Sequence, residues 1–263
     1  MNEAVECAHT TGILTAASLM VGGDAVDDAV ARARRLPGLG VGLHVVLADG
    51  RPVLPPAQIP ALVGPDGRFH PSMVRTAFAI ALSPAAHAQM RAEVGAQFAR
   101  FAATGLPLDH VNAHKHFHLH PMIGRALVEI GATYGAPAMR VPVEAGRGWT
   151  SAAMRWWAGA LGRRWRRAGV MTNDRVIGLA QSGAFATPQM VAALGALGSG
   201  LTEIYTHPAT ADAYPGSAAG YRYRAELAAL TAPETLAALA QSGAQIGPFA
   251  RWNDTLAALA GAA

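Results

Sequence analysis

The chain has 263 residues, 51% of them hydrophobic and 14% charged, which is enough apolar material for a large core and predicts one domain over residues 1–263. It has a single cysteine, no apolar run of membrane-spanning length and no signal-peptide pattern, which excludes an internal disulfide and favours a cytoplasmic protein. The formal charge is +4, but five of the 21 Lys and Arg residues lie between Arg155 and Arg167, so the basic character is local and predicts no nucleic-acid partner.

Short β-like runs alternate with longer helical stretches, which predicts repeated strand–helix units around a parallel sheet or barrel. The predicted strands are residues 14–21, 40–46, 109–116, 138–143, 201–207 and 245–249. The predicted helices are residues 1–9, 25–36, 84–104, 121–134, 150–168, 188–197 and 233–242. Helix starts are signalled by Ser83-Pro84, Thr187-Pro188 and Ala232-Pro233. The Gly- and Pro-rich residues 49–73 predict a long loop over one mouth of the barrel.

Five of the ten histidines fall within residues 110–120. Alternate residues of a strand share one face, so a strand here would present His114, His116 and His118 together. Imidazole is a common ligand of zinc and related ions, and the apolar residues between the histidines favour a strand with a buried back over an exposed tag-like tract. The cluster therefore predicts a metal site or an active site.

Single histidines end two other β-like runs, at His44 and His207. Active-site residues of α/β barrels lie at the carboxyl ends of strands, so these positions and the cluster together predict one shared site. Arg140 enters another predicted strand and is a candidate for orienting a carboxylate or a substrate oxygen. An ordinary salt bridge between Arg140 and Glu144 is the alternative.

Several segments of the chain resemble the YdjC-like carbohydrate deacetylases, a family that includes chitooligosaccharide deacetylases, and the resemblance covers nearly the whole chain. The segments are Val41-Gly42-Leu43-His44, His114-Lys115-His116-Phe117-His118, Arg140-Val141-Pro142-Val143-Glu144 and Glu203-Ile204-Tyr205-Thr206-His207-Pro208. Residues 12–20, 109–121 and 201–205 are most similar to the branch associated with hopanoid biosynthesis.

The resemblance implies an irregular (β/α) barrel of the glycoside hydrolase/deacetylase type, which uses a divalent metal ion, zinc or magnesium, to hydrolyse the N-acetyl group of an amino sugar. The family holds its metal with one Asp and two His, and the matching ligands here are His44 and His114, with other choices within the cluster left open. His207 is then the general acid, and Arg140 is a second catalytic residue. The implied substrate-binding or ligand-supporting residues are His116, His118 and Glu144.

The chain departs from the family at its start. Family members begin with a β-strand ending in Asp-Asp-Phe-Gly, whereas this chain begins with Met1-Asn2-Glu3-Ala4-Val5, the segment that follows that motif. The resemblance implies that the first strand, with the metal-ligating Asp and the probable base Asp, is missing, and a start site assigned too late is the simplest hypothesis. As given, the chain is expected to bind metal weakly and to have little activity.

Residues 150–168 predict an amphipathic helix with Trp157 and Trp165 on its apolar side and arginines opposite. Such a helix either lies in a membrane interface or packs its apolar side against the barrel. The hopanoid branch implies an N-acetylglucosaminyl glycolipid as substrate, which favours peripheral contact with the inner membrane through both tryptophans. A soluble chitooligosaccharide deacetylase and an inactive glycan- or membrane-binding barrel are the alternative functions, and a homodimer is an open option.

Overall fold

The computed structural model describes residues 1–144 and 152–253, in which strands and helices alternate along the chain. The strands are β1 (Ala16–Leu19), β2 (Gly40–Val45), β3 (Leu108–Ala113), β4 (Arg175–Ile177) and β5 (Thr202–Ile204). The main helices are α1 (Asn2–Thr11), α2 (Val26–Ala33), α3 (Met73–Leu82), α4 (Pro84–Ala102), α5 (Pro121–Thr133), α6 (Ala152–Arg167), α7 (Thr187–Gly195), α8 (Tyr223–Thr231) and α9 (Pro233–Ser242). Short 3-10 segments lie at Pro56–Gln58 and His114–Leu119.

The strands pair in parallel and follow one another in chain order. β2 lies between β1 and β3, and β4 pairs with β5. A single parallel bridge between Val111 and Met139 adds residues 138–143 to the first sheet. The amide of Val176 donates to the carbonyl of Val143 at 2.7 Å and links this segment to the second sheet. The carboxyl ends of the strands therefore lie at one edge, where parallel α/β proteins build their sites.

The expected irregular (β/α) barrel, with its first strand missing, is observed only as an α/β arrangement of parallel strands. Within residues 1–144 and 152–253 the strands form two open sheets, of three and two strands, and no pairing closes them into a ring. The predicted strands at 138–143 and 245–249 are wrong: the first makes only isolated bridges, and the second is irregular before it becomes helical. Each contains a proline, Pro142 or Pro248, which has no N–H to donate to a sheet. The observed class is an α/β fold with parallel strands.

The helix starts confirm the predicted signals. α4 begins at Pro84, and the hydroxyl of Ser83 accepts the amide of Ala86, while α7 and α9 begin at Thr187 and Pro233. In contrast, α3, α8 and β4 are absent from the sequence prediction. α3 is apolar around most of its circumference, so its sequence lacks the period that separates a helix from a buried strand.

Helix α6 packs its apolar side inward. Trp165 is 3% exposed and its ring lies against Gly124 of α5. The indole N–H of Trp157 donates to the carbonyl of Leu119 at 3.0 Å. Trp165 is therefore buried, which contradicts membrane contact through this residue and matches the packing alternative. Trp157 is half-buried, and membrane contact through it stays a prediction. Residues 150 and 151 of the predicted helix lie outside the described residues.

The most exposed large apolar side chains of the described residues lie elsewhere. Val74, Phe78 and Leu82 of α3 are 65%, 62% and 78% exposed, and Trp156 of α6 is 68% exposed. The four-residue spacing along α3 places its three side chains on one helix face, which we call the α3 stripe. Among the described helices, none combines the length and the apolar character needed to cross a membrane.

Two buried polar side chains of α4 hold the loop that follows β2. The Glu93 carboxylate accepts the amides of Val53 and Leu54 at 2.8 and 2.9 Å. Gln97 accepts the amide of Val46 at 2.9 Å and donates to its carbonyl at 2.7 Å. Glu93 and Gln97 are 0% and 2% exposed. The helix therefore replaces the strand partners that this loop backbone lacks.

Gly42 in β2 has no room for a side chain, which gives the first prediction. An added Cβ would lie 2.5 Å from the ring of His110 on β3, and that ring is 1% exposed. Gly42→Ala is expected to lower the free energy of unfolding by about 1–3 kcal/mol because the ring cannot move aside. Urea unfolding measures the change.

The matched control is Gly95→Ala in the middle of α4, where an added Cβ meets no atom within 4 Å. This substitution should raise the free energy of unfolding by about 0.5–1 kcal/mol through helix propensity. Equal stabilisation by Gly42→Ala would contradict the close packing of His110.

Candidate active site

The histidine-rich segment is not a strand. β3 ends just before it, and His114–Leu119 turns in a 3-10 segment in which Lys115 and His116 have φ values of 52° and 55°. Left-handed backbone costs residues other than glycine about 1–3 kcal/mol each. The turn ends the two-residue alternation of the strand, so the prediction that alternate histidines share one strand face is wrong.

The turn directs the histidines to different neighbours. His114 lies edge-on to His44, with ring centroids 5.7 Å apart. His116 lies 5.9 Å from the ring of Tyr205 and 5.9 Å from that of His118. His118 has no exposed surface, so it supports the site from the core rather than lining it. Three of the predicted site histidines, His44, His114 and His116, thus meet at the carboxyl ends of the strands.

Lys115 ties this turn to the loop after β2. Its Nζ donates to Asp49 Oδ2 at 2.8 Å, and Asp49 is also left-handed, with φ of 53°. The hydrogen bond from Lys115 holds the pKa of the Asp49 carboxyl below its ordinary value. Both side chains are partly exposed, so the pair marks the rim of the site.

His44 is oriented by a single partner. Its Nδ1 lies 2.5 Å from the amide oxygen of Asn112, the residue in register with it on β3. An amide oxygen only accepts, so Nδ1 carries the proton and the lone pair on Nε2 is left for a ligand or a proton. Burial first, and then the neighbouring His114, lower the pKa of His44 to about 3.

His44 and His114 are a suitable pair of nitrogen donors for a divalent metal ion. Burial lowers the pKa of His114 as well, so both rings are neutral at neutral pH, as metal ligation requires. Across residues 1–144 and 152–253, no group of three or more His, Cys, Asp or Glu side chains is arranged to hold a metal. The described residues thus supply two ligands of the expected set.

Arg140 pairs with Glu203 of β5. Its Nε lies 2.8 Å from both carboxylate oxygens of Glu203, and its Nη2 bonds to Oε1. The two side chains are only 7% and 13% exposed, and the guanidinium lies 4.8 Å from the ring centroid of Tyr205. Arg140 is therefore fixed beside the histidines as a buried positive charge.

Glu144 is not the partner of Arg140, so the predicted alternative of a salt bridge between them is wrong. The Glu144 carboxylate accepts the amides of Gly178 and Ala180 at 2.8 and 2.7 Å. It holds the turn after β4, and a role in substrate binding stays a prediction.

His207 lies in a tyrosine-lined position after β5. Its Nε2 is 2.6 Å from the hydroxyl of Tyr205, and its backbone amide bonds to the buried carboxylate of Glu226. The ring of Tyr221 lies 5.4 Å away. Burial, followed by the positive charge of Arg140, lowers the pKa of His207 to about 4. Burial raises the pKa of Tyr205 to about 12, so this hydroxyl keeps its proton.

Sequence reasoning missed Tyr205, Glu203 and Asn112 as site residues. The run from Glu203 to His207 carries a usable signal, because its polar residues at 203, 205 and 207 alternate as on one face of a strand. Asn112 lies inside the histidine cluster and gives no comparable signal, since its function depends on which residue of β2 it faces.

Taken together, the fold and the site define a class: a parallel α/β protein with a histidine-rich site at the carboxyl ends of its strands. The fold is similar to that of the crystal structure of a putative cellobiose-phosphate cleavage protein from Enterococcus faecalis V583, with a TM-score of 0.74, 21% sequence identity and coverage of 94% of this chain and 91% of that chain.

The chain belongs to the YdjC-like protein family, whose model matches residues 1–241. Carbohydrate deacetylases of Mus musculus and Homo sapiens are both 32% identical to it. Each alignment covers 93% of this chain, and the two alignments cover 88% of the mouse protein and 84% of the human protein. A carbohydrate deacetylase of Brevibacillus brevis is 36% identical over 49% of each chain. The family resemblance found in the sequence is confirmed.

The buried histidines give a prediction for stability. Burial lowers the pKa of His118 to about 3 and that of His207 to about 4, against about 6.5 in the unfolded chain. Between these values the unfolded chain binds more protons, so the free energy of unfolding must fall as the pH falls from about 6.5 toward 4. We expect it to be about 2 kcal/mol or more lower at pH 5 than at pH 7, by urea unfolding.

The raised pKa of the buried Glu93 and Glu226 acts in the opposite direction, so a variant isolates the histidine contribution. His118→Gln removes one titrating ring and should flatten the pH dependence of its own unfolding free energy relative to the wild type. The same slope in both proteins would mean that His118 is protonated in the folded state.

Proposed function

We propose that the chain is a carbohydrate deacetylase that removes the acetyl group of an N-acetylated amino sugar. Relatives that align with most of the chain carry this name. The observation that carries the proposal is the meeting of the His44–His114 pair with the Tyr205–His207 pair at one edge of the strands. Ligand nitrogens beside a proton-transfer pair are what amide hydrolysis at neutral pH needs.

In this proposal His44 and His114 hold a divalent metal ion. Imidazole nitrogen suits zinc better than magnesium, which prefers oxygen, so the described donors favour zinc of the two. When bound, such an ion polarises the amide carbonyl and makes water at the site more acidic.

His207 moves the proton. Because its pKa is about 4, the ring is neutral in the resting protein and accepts a proton before it donates one to the leaving amine. Tyr205 stays protonated, and its hydroxyl accepts from Nε2–H, 2.6 Å away, so the lone pair of His207 Nδ1 takes up the proton and later releases it while the imidazole keeps one orientation. His207 is thus base and then acid within one turnover.

Arg140 acts through its charge. Its guanidinium is bonded to Glu203 and lies over Tyr205, where a fixed positive charge favours the negative charge that develops on the acetamido oxygen. His116, beside Tyr205, is proposed to contact the acetamido group.

For the substrate we propose an N-acetylglucosaminyl glycolipid of hopanoid biosynthesis. The observation that supports it is the α3 stripe, and it adds to the resemblance of three sequence segments to the hopanoid-associated branch. An exposed apolar helix face can lie in a membrane interface and bring an embedded substrate to the site. A soluble chitooligosaccharide is the second candidate, because the relatives are named carbohydrate deacetylases and those names specify no lipid.

Acetate release from both substrates tests the proposal. We expect release from the glycolipid presented in vesicles, abolished by a chelator and restored by zinc or magnesium. His114→Gln should lower kcat/KM by about 100-fold or more, because one ligand of the metal is lost. Binding of the sugar without acetate release at saturating metal would contradict the enzymatic assignment and favour a glycan-binding protein.

Variants of exposed residues separate the two substrates. Phe78→Ser in the α3 stripe should lower kcat/KM on vesicles and leave the rate on the soluble oligosaccharide unchanged. Leu236→Ser on α9, at a side chain that is 43% exposed, is the matched control and should change neither. A preference for the soluble substrate, with no effect of Phe78→Ser, would remove the lipid assignment and leave deacetylation standing.

Two tyrosines beside His207 offer a second test. Tyr205→Phe removes the hydroxyl bonded to Nε2 and should lower kcat about 10- to 100-fold with little change in KM. Tyr221→Phe keeps the ring contact with His207 and loses only a hydroxyl bonded to Ser182, so its kcat should stay close to wild type. Equal losses in both variants would show that the Tyr205 hydroxyl has no specific role.

A further inference from the structure

A row of hydrogen bonds crosses the first sheet beneath His44. Asn112 Oδ1 lies 2.5 Å from His44 Nδ1, and Asn112 Nδ2 donates to Ser18 Oγ at 2.7 Å. Ser18 Oγ lies 2.9 Å from His110 Nε2, and His110 Nδ1 lies 2.8 Å from Asp109 Oδ2. We call these five residues the polar row. It connects all three strands of the sheet, from β1 through β2 to β3.

The fold shields three members of the polar row from water. Asp109, His110 and Asn112 are 3%, 1% and 0% exposed, while Ser18 and His44 are half-buried. Gly42 leaves the space that the His110 ring occupies. The Asp109 end of the polar row is fixed by the backbone, because its carboxylate accepts hydrogen bonds from the amides of residues 249 and 250 at 3.2 and 2.8 Å.

Each group in the polar row has its hydrogen-bond direction set by the next. Burial acts to raise the pKa of Asp109, but the hydrogen bond from His110 and those from the two amides outweigh it, so the pKa is lowered and the carboxylate is ionised. It therefore accepts from His110 Nδ1–H, and His110 Nε2 is left as an acceptor. Ser18 has one hydroxyl proton, which it donates to Nε2 while its oxygen accepts from the Asn112 amide.

The orientation of Asn112 follows from this order. With its NH2 group committed to Ser18, its oxygen must face His44, and only Nδ1–H of His44 can satisfy it. Every hydrogen bond then points the same way, from His44 toward the Asp109 carboxylate. Reversal of one bond would leave a buried donor facing a donor, at the cost of an unsatisfied group.

We propose that Asp109, His110 and Ser18 are positioning residues that act through Asn112 to hold His44 in the Nδ1–H tautomer, with the lone pair of Nε2 directed to the site. The tautomer is a property of the chain alone. Only its consequence, tighter metal binding, rests on the proposed function.

Ser18, His110 and Asp109 also have the connectivity of a serine hydrolase triad. The positioning role is assigned because the Ser18 oxygen accepts from Asn112 and thereby links the buried His110 ring, 1% exposed, to His44. A fluorophosphonate probe should leave Ser18 unlabelled, and labelling at this residue would overturn the assignment.

Nitrogen-15 NMR of the histidine rings in the metal-free full chain is the direct test. We expect His44 and His110 both to be neutral, with the proton on Nδ1 and Nε2 unprotonated. Protonation of His44 at Nε2 instead of Nδ1, or a doubly protonated His110 at neutral pH, would overturn the proposal without any variant.

Ser18→Ala breaks the polar row at its centre. We expect the His44 signals to change from one tautomer to a mixture, and zinc affinity, measured by competition with a chromophoric chelator, to fall about 10- to 100-fold. Thr235→Val on α9 is the matched control, because it also removes one buried hydroxyl hydrogen bond, at 2.7 Å to the carbonyl of Ala229, and touches no member of the polar row. It should leave both readouts unchanged.

The outcomes separate the two proposals. A single His44 tautomer in the wild type that is lost in Ser18→Ala supports the positioning role even where no metal binds, and the failure then belongs to the proposed function. Zinc binding with an unchanged His44 tautomer in Ser18→Ala would overturn the positioning role and leave the metal assignment in place.

Discussion

The placement of the site depends on a change of backbone conformation immediately after β3. A strand continued through residues 114–118 would spread its histidines along one sheet face. Two left-handed residues, Lys115 and His116, instead divide them, so that His114 reaches His44 and His116 reaches Tyr205. The strain of that turn is offset on both sides: the Lys115 ammonium pairs with Asp49 outside, and Phe117, 5% exposed, packs inside.

Burial then determines the chemistry of the imidazoles that the turn brings together. Desolvation is the largest cause of the lowered pKa of His44, His116 and His207, and the buried charge of Arg140 acts in the same direction. The same low dielectric makes each orienting hydrogen bond stronger and each missing partner more costly. The imidazole rings of these histidines are therefore neutral at neutral pH. The positive charge beside them is that of Arg140, which forms an ion pair with Glu203.

Local signals were sufficient for the position of β2 and for several helix starts. His44 lies near the end of β2 as predicted, and Pro84 and Pro233 begin helices. In contrast, β3 and β5 each end three residues before the predicted ends at His116 and His207. What depends on neighbours in space could not be predicted. The partner of Arg140 is 63 residues away on β5, and the left-handed turn occurs at residues with no glycine to indicate it. Helix α3, apolar nearly all round, has no period to reveal it.

The anchoring of the loop after β2 by Glu93 and Gln97 affects how a ligand can enter. If this loop opened as a hinged lid, the amides of Val53 and Leu54 would lose their hydrogen bonds to the Glu93 carboxylate, which has no exposed surface. At about 1–3 kcal/mol for each abandoned group, opening would be confined to roughly one molecule in a hundred or fewer. This wall of the site is consequently preformed, and a ligand that enters here meets a rigid outline rather than a loop that closes over it.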